Sequence, residues 1–272
     1  MVRGGAAEAG RAASRPEHEA ACVRATGAET VPGMRPILIL KLGTTAVPER
    51  GDFDRLIVAA AGVDPARVRV VDVPGGAALP DPAAPGAIIL TGSSAMVTER
   101  LDWSERTAAW LPGAIAAGTP LLGICYGHQL LAHALGGRVA ANPRGREIGT
   151  ATVALTAAAA DDPLFGGLGP RLDVQETHVE SVLAPPPGAR VLAGNAADPH
   201  QAMAIGARAW GVQFHPEFDA AVVRGYVAGR ADRLRAEGLD PARLVAGARD
   251  SAAGATLLRR FVALAEGAAR AS

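Results

Sequence analysis

The chain has 272 residues, and its 27 basic and 27 acidic side chains give a formal net charge of zero. This balance argues against a nucleic-acid partner, because such proteins usually carry a basic surface. The apolar fraction of 49% is enough for a sizeable core. No apolar run approaches the roughly 20 residues that a membrane-spanning helix needs, so no membrane partner is expected.

The first 33 residues differ in composition from the rest of the chain. They are rich in Ala, Gly and Arg with few large apolar residues, and such a segment cannot offset its ordering entropy. We expect residues 1–33 to be a disordered extension and residues 34–272 to form one α/β domain. Cys22 lies in the extension and is expected to be inert. Two cysteines do not suggest a disulfide framework, which favours a reducing, cytoplasmic setting.

From residue 36 onward, short apolar runs alternate with segments of helical spacing. The runs predict strands at 37–42, 67–73, 87–91 and 120–124, and the spacing predicts helices at 53–61, 103–117 and 127–135. Continuous apolar strands that alternate with helices indicate a mostly parallel sheet covered by helices on both faces. The sequence therefore predicts a three-layer α/β fold.

The second half of the chain has a looser pattern. Shorter extended segments lie at 148–155, 172–175, 190–193, 201–205 and 209–214. We expect part of this region to add a small antiparallel extension to the sheet. Residues 219–272 are expected to be mainly helical, with Asp219 and Asp240 as N-caps and Pro241 at a first helical position.

The segment Gly123-Ile-Cys125-Tyr-Gly127 connects a predicted strand to a predicted helix. A catalytic residue in such a tight turn needs flanking glycines, since side chains there would strike the neighbouring elements. The positive end of the following helix favours the thiolate of Cys125, which is the nucleophilic form. The N–H of Tyr126 points where an oxyanion would form. A buried cysteine that merely closes a strand is the alternative, but the paired glycines favour a nucleophile.

A candidate general base follows the last predicted strand. His215 and Glu217 are two residues apart, so in an extended segment their side chains leave the same face. Pro216 between them favours that extended backbone. A carboxylate that accepts the Nδ1–H of an imidazole leaves the other ring nitrogen free to exchange a proton with Cys125. Because parallel strands end at one edge of a sheet, the two segments are expected to meet.

Together, the segments Gly123–Gln129 and Phe214–Glu217 resemble the two motifs of class I glutamine amidotransferases, in the same order. The resemblance spans roughly residues 36–218. It implies a flavodoxin-like, three-layer fold with a mostly parallel sheet. It also implies that Cys125, His215 and Glu217 form a glutaminase triad, which hydrolyses glutamine through a γ-glutamyl thioester and releases ammonia.

The resemblance extends to positions outside the triad. Gly92 corresponds to a glycine-containing oxyanion loop, so its N–H is expected to be a second donor beside that of Tyr126. Gln129 matches a position that helps to bind the substrate glutamine, although on a helix it could instead face solvent. The segment 177–181 resembles one whose backbone contacts the amino-acid head group of glutamine. Thr177 and His178 are therefore candidate binding residues, with His178 expected to be structural rather than catalytic.

The sequence predicts no metal site and no cofactor. His128 and His133 are five residues apart, whereas two ligands on one helix face are usually four apart. Neither a phosphate-binding loop nor a dinucleotide fingerprint is present.

The use of the released nitrogen stays open at this point. No synthetase-like segment follows residue 218, so the chain is expected to be a stand-alone domain similar to the glutaminase half of GMP synthases. It could pass ammonia to a separate synthetase subunit, or act alone on glutamine or another γ-glutamyl compound as a peptidase or hydrolase. A non-catalytic regulatory module on the same fold is the third alternative, and the intact triad residues count against it.

Overall fold

The computed structural model describes residues 35–270, with the backbone alone at 268–270. The predicted disordered extension and Cys22 lie outside these residues. The strands are β1 (Ile37–Lys41), β2 (Val68–Asp72), β3 (Ala87–Leu90), β4 (Leu121–Ile124), β5 (Arg138–Ala141), β6 (Glu147–Leu155), β7 (Arg171–His178), β8 (Glu180–Ala184), β9 (Arg190–Gly194), β10 (Ala202–Ile205) and β11 (Ala209–Val212). The helices are α1 (Phe53–Ala61), α2 (Asp102–Ala116), α3 (Tyr126–Ala134), α4 (Ala220–Gly229), α5 (Ala231–Ala236), α6 (Pro241–Gly247) and α7 (Ala252–Arg270).

Within the described residues, the main sheet has nine strands in the order β2-β1-β3-β4-β11-β10-β9-β6-β7. The first five strands are mutually parallel. The last four are each antiparallel to their neighbours. The predicted parallel sheet with an antiparallel extension is therefore confirmed. Strands β5 and β8 form a separate two-stranded sheet, which the sequence did not reveal.

Helices cover both faces of the parallel strands and complete the three layers. Successive side chains of a strand point to opposite faces, so β1 contributes to two cores. Ile39 packs in one core with Ile57 of α1 and Phe261 of α7. Leu40 packs in the other core with residues of α2 and α3, including Leu130. Each core buries a continuous apolar surface, which is the main stabilising contribution to such a fold.

The C-terminal part is helical, as predicted. The Asp219 side chain accepts a hydrogen bond from the N–H of Val222 at 2.7 Å and caps α4. Asp240 accepts from the N–H of Ala242 at 2.9 Å and caps α6, whose first residue is Pro241. In the part of the chain that the structure describes, no helix combines the length and the apolar character needed to cross a membrane.

The sheet order brings three loops to one edge. Strands β4 and β11 are parallel neighbours with Ile124 opposite Val212, so the residues that follow each strand meet beyond that edge. Strand β3 lies on the other side of β4, which places Gly92 beside the same point. The topology thus assembles segments that are far apart in the chain.

Candidate active site

Cys125 occupies a strained turn between β4 and α3. Its backbone has φ 50° and ψ −101°, a conformation that residues with a side chain rarely adopt. A Cβ added to Gly123 would lie 2.5 Å from the carbonyl oxygen of Gly127, and one added to Gly127 would lie 2.6 Å from the Cβ of Leu90. Both positions therefore exclude any side chain. The structure has the tight strand-to-helix turn that the paired glycines predict.

His215 and Glu217 form a buried pair beyond β11. The Nδ1 of His215 lies 2.7 Å from Oε1 of Glu217, and the two side chains are at most 2% exposed. The imidazole ring also stacks on Phe218, with 4.1 Å between ring centroids, and faces Phe53 at 5.8 Å. These contacts fix the orientation of the imidazole ring.

The charges around His215 favour its protonated form. Burial alone would lower the pKa of the imidazole, but the charge of Glu217 and the adjacent Cys125 outweigh burial and raise this pKa to about 10. A ring with this pKa is protonated at neutral pH. A protonated ring at this position can stabilise a negative charge on a neighbouring group.

Two backbone donors lie beside this pair. Among the hydrogen bonds of the described residues, none is donated by the N–H of Gly92 or by that of Tyr126. A Cβ on Gly92 would be 2.9 Å from Cε1 of His215, so this glycine lies directly against the imidazole. The N–H of Gly127 donates to the carbonyl of Thr91 at 3.2 Å, which ties the strand-to-helix turn at residues 123–127, here called the elbow, to the end of β3. Both predicted oxyanion donors are thus adjacent to the site and unengaged.

The structure places Gln129 inside the protein rather than in solvent. Its Nε2 donates to the carbonyl of Glu180 at 2.8 Å and to Oε1 of Gln213 at 3.0 Å. Its side chain therefore links the segment after β7 to the residues near the cysteine. The alternative that Gln129 faces solvent is wrong, because this part of α3 packs against the sheet and β8.

The other two candidate binding residues lie at the end of β7. Thr177 is half-buried. His178 is buried, with Nδ1 2.9 Å from the carbonyl oxygen of Glu180 and Nε2 3.2 Å from Oε2 of Glu147. Both ring nitrogens of His178 thus have partners other than His215 and Glu217, which fits a structural role.

Gln213 is a site residue that the sequence reasoning missed. Its Nε2 donates to the Sγ of Cys125 at 3.6 Å. Glu180 was also missed: its carboxylate accepts from the N–H of Val97 at 2.9 Å and contacts the hydroxyl of Thr98. The expectation of an extended backbone around Pro216 is wrong, because residues 216–217 form a turn in which the N–H of Phe218 donates to the carbonyl of His215 at 3.3 Å.

A chain of contacts supports the aromatic ring that faces His215. Phe53 is the first residue of α1, and the Asp52 side chain caps this helix by accepting from the N–H of Phe53 at 2.9 Å. Asp52 also accepts from the N–H of Thr45 at 2.9 Å and pairs with the Nζ of Lys41 at 2.6 Å. The start of α1 is therefore anchored to the end of β1.

Side chains suited to a metal ion converge on β6 and β7, next to the candidate binding residues. Candidate ligand atoms of Glu147, Glu176 and His178 all lie within 4.8 Å of one another. The sequence predicted no metal, and it gave no local motif for this group because its members come from two strands.

Comparison with known proteins extends these observations. Residues 55–224 match the family model described as glutamine amidotransferase class-I. A GMP synthase [glutamine-hydrolyzing] of Thermomicrobium roseum is 47% identical over 133 residues, which are 49% of this chain and 23% of that protein. The match thus spans about a quarter of the length of this curated relative.

Solved structures share the fold. A glutamine amidotransferase of Thermotoga maritima superposes with a TM-score of 0.68 at 22% identity, covering 84% of this chain and 97% of that one. A glutamine amidotransferase of Methylobacillus flagellatus gives a TM-score of 0.67 at 22% identity, covering 86% and 93%. The family model covers more than half of the chain, and the fold agrees with it. The chain belongs to the class I glutamine amidotransferase family.

Proposed function

We propose that this protein hydrolyses the side-chain amide of glutamine through a γ-glutamyl thioester on Cys125. The observation that carries the proposal is the position of this cysteine in a strained turn, beside a buried His215–Glu217 pair. The unengaged N–H groups of Gly92 and Tyr126 support it, because they can stabilise an oxyanion.

In the first half of the proposed reaction, the thiolate of Cys125 attacks the amide carbon of glutamine. The carbonyl oxygen becomes an oxyanion, which accepts hydrogen bonds from the N–H groups of Gly92 and Tyr126. His215 then gives its proton to the leaving nitrogen, so that the C–N bond breaks and ammonia leaves. The carboxylate of Glu217 stabilises the imidazolium until that transfer.

In the second half, water cleaves the thioester. The now neutral His215 takes a proton from water as the oxygen attacks the thioester carbon, and the same two N–H groups hold the second oxyanion. The C–S bond breaks, glutamate leaves and the thiolate–imidazolium pair is restored. The side-chain amide of Gln213 helps to stabilise the free thiolate, since its Nε2 donates to the sulfur.

For the released ammonia, we infer transfer to a separate synthetase subunit. This inference rests on the curated relative, which is named as a GMP synthase [glutamine-hydrolyzing]. In that case the hydrolysis of glutamine by the isolated chain should be slow. Rapid turnover of γ-glutamyl amines or peptides without a partner would instead favour an autonomous γ-glutamyl hydrolase.

The test combines turnover with covalent trapping. Purified wild-type protein is incubated with glutamine and with γ-glutamyl amines and peptides, and ammonia, amine and glutamate are measured. We expect Cys125→Ala to reduce glutamine hydrolysis by at least about 10³-fold, whereas the control Cys22→Ala retains full activity. Equal turnover by wild type and Cys125→Ala would refute the proposal.

Trapping does not depend on a partner. A diazo ketone analogue of glutamine should alkylate Cys125 but not Cys22, as measured by peptide mass spectrometry. Absence of labelling at Cys125 together with absence of turnover would also contradict the proposed nucleophile.

A further inference from the structure

The polar group on β6 and β7 arises from the strand register. Glu147 lies opposite His178 across the two strands, and Gly149 lies opposite Glu176. Because side chains two residues apart share a face, Glu176 and His178 point the same way from β7. The side chains of Glu176 and His178 are at most 1% exposed, whereas that of Glu147 is 11% exposed and gives the group a route to solvent.

The hydrogen bonding of His178 determines what its second nitrogen can do. Nδ1 lies 2.9 Å from the carbonyl oxygen of Glu180, an acceptor, so Nδ1 carries a hydrogen. In the neutral ring the lone pair on Nε2 then faces Oε2 of Glu147 at 3.2 Å and Oε2 of Glu176 at 3.5 Å. One lone pair directed at two carboxylate oxygens is repulsive unless a cation, either a proton or a metal ion, lies among the three atoms.

Glu176 is the least compensated member of this group. Although the Gln201 side chain is near enough to favour its charged form, neither carboxylate oxygen meets a hydrogen-bond partner with acceptable geometry. A buried carboxylate without hydrogen-bond partners is costly, so a bound cation would stabilise it.

Other charges in the described structure do not supply that compensation. In the described ion pairs, the carboxylates of Glu147 and Glu176 contact only His178, and neither meets a lysine or an arginine. The nearby His128 is neutral, because complete burial lowers its pKa to about 4. The positive charge must therefore come from a proton on this group or from a bound ion.

The spacing and the surroundings of the three ligands suit a tetrahedral metal ion. Ligand atoms about 2.0–2.1 Å from a tetrahedral zinc ion are about 3.3–3.4 Å apart. The two contacts of His178 Nε2, at 3.2 and 3.5 Å, bracket that value, and the two carboxylate oxygens lie within 4.8 Å of each other. Asn195 Nδ2 donates to one carboxylate oxygen of Glu147 at 2.6 Å, and Gln201 Nε2 donates to the other at 2.7 Å. Metal-binding carboxylates are usually oriented by such hydrogen bonds.

We propose that Glu147, Glu176 and His178 form a binding site for a divalent transition-metal ion of the zinc class. An imidazole nitrogen selects such ions over magnesium and calcium, which prefer oxygen ligands only. Three protein ligands and a water complete a four-coordinate site. The ion would hold the end of β7 in place, next to the Glu180 carbonyl that Gln129 and His178 share.

The test measures metal binding in the whole 272-residue chain. Cys22→Ser and Cys125→Ser are introduced together as the parent, so that no thiol can bind the metal, and the protein is freed of metal with a chelator. Isothermal titration calorimetry with Zn²⁺ should give one ion per chain. Glu176→Gln should weaken this binding at least tenfold, because it removes a ligand charge while preserving the shape of the side chain.

Glu105→Gln provides the matched control. His133 Nε2 also lies 3.2 Å from a glutamate oxygen, that of Glu105, but the pair is more exposed and has no second carboxylate among the described ion pairs. Zinc affinity should therefore be unchanged in this variant. A cobalt titration of the parent needs no further variant: four-coordinate Co²⁺ absorbs visible light far more strongly than six-coordinate Co²⁺, so an intense spectrum is expected.

Two outcomes would overturn the proposal. If the parent binds no stoichiometric Zn²⁺ and gives only a weak cobalt spectrum, the group holds a shared proton and not a metal. If Glu176→Gln binds Zn²⁺ as tightly as the parent does, the metal lies elsewhere. Neither outcome depends on glutaminase activity, so both are separable from a failure of the proposed function.

Discussion

The two halves of the main sheet place their buried polar groups differently. In the parallel half the buried strand residues are apolar, and the polar groups of the candidate active site lie beyond the strand ends, as Cys125 and His215 do. In the antiparallel half, buried polar side chains lie within strands, as Gln175 and Glu176 do on β7. The halves therefore depend on different features for their polar sites: topology in the first and cross-strand register in the second.

This difference decides which changes should affect chemistry and which should affect stability. Beyond a strand end, a polar side chain can be replaced without opening a cavity in the sheet, so function should suffer more than folding. Within a strand, replacement of a charged and poorly compensated side chain should change stability first.

The largest expected effect concerns His215, the proposed general base beyond the end of the parallel strands. His215→Ala should lower the rate of acylation by about 10³-fold, because proton transfer to the leaving nitrogen is lost. The Michaelis constant for glutamine should change little. Steady-state kinetics and single-turnover labelling separate the two quantities, and a large rise in the constant with an unchanged turnover number would make His215 a binding residue instead.

The elbow should be sensitive to a single methyl group. In Gly127→Ala the new Cβ would lie 2.6 Å from the Cβ and carbonyl oxygen of Leu90. We expect a loss of about 3 kcal/mol in the free energy of unfolding, measured by urea denaturation. Gly229→Ala is the control: a Cβ there meets no atom within 4 Å, and it should stabilise α4 by up to about 1 kcal/mol. Equal changes in the free energy of unfolding for Gly127→Ala and Gly229→Ala would show that the elbow tolerates a side chain.

Removal of the charge on Glu217 should lower activity by about 10²-fold, because Glu217→Gln no longer supports the imidazolium. It should also change how stability depends on pH. The pKa of His215 is raised from 6.5 to about 10, so its stabilising contribution is fully present below pH 6.5 and is lost as the pH rises toward 10. Wild type should therefore lose more stability than Glu217→Gln across that window, measured by denaturation at several pH values.

In the antiparallel half, removal of a buried charge should increase stability and not decrease it. With a chelator present, Glu176→Gln should be more stable than wild type at pH 7 by about 1–2 kcal/mol, because a buried carboxylate without partners is removed. The raised pKa of Glu176 gives wild type its greatest relative stability at acidic pH, with a loss as the pH rises above 4.5. The advantage of the variant should thus shrink at acidic pH. A destabilised variant at pH 7 would contradict this account.

The smallest expected effect concerns backbone strain. Cys125 has a positive φ, which glycine adopts with less strain than alanine. Cys125→Gly should therefore be more stable than Cys125→Ala by about 1 kcal/mol, the reverse of the usual order. Thermal denaturation of the two inactive variants provides the measurement. If Cys125→Ala is instead the more stable of the two variants, the turn is not strained.

The parallel half could be predicted from the sequence in some detail. The predicted helix at 53–61 matches α1, and the predicted strand at 87–91 differs from β3 by one residue. Local patterns suffice there, because each strand is a continuous apolar run and parallel strands end at a common edge. The same reasoning predicts that His215 and Cys125 lie at one edge of the sheet.

The antiparallel half and its polar group could not be predicted in this way. Glu147 and Glu176 approach each other only because β6 and β7 pair in a particular register, and no local spacing encodes that pairing. The sheet of β5 and β8 was also missed, since β5 is short and partly exposed and lacks alternation. The rings that flank His215 come from α1 and from the segment before α4, and their positions depend on tertiary packing.

Lys41 is the only lysine in the sequence, and its ion pair with Asp52 lies at the start of the helix that places Phe53 against His215. Its amine has a raised pKa and is largely shielded in this pair, so it should react slowly with amine-directed reagents as long as α1 stays anchored. Apart from the chain's N-terminal amine, no other amine competes. The native sequence therefore contains its own site-specific reporter: the acylation rate of Lys41 would follow any loosening of the segment behind His215, without an engineered label.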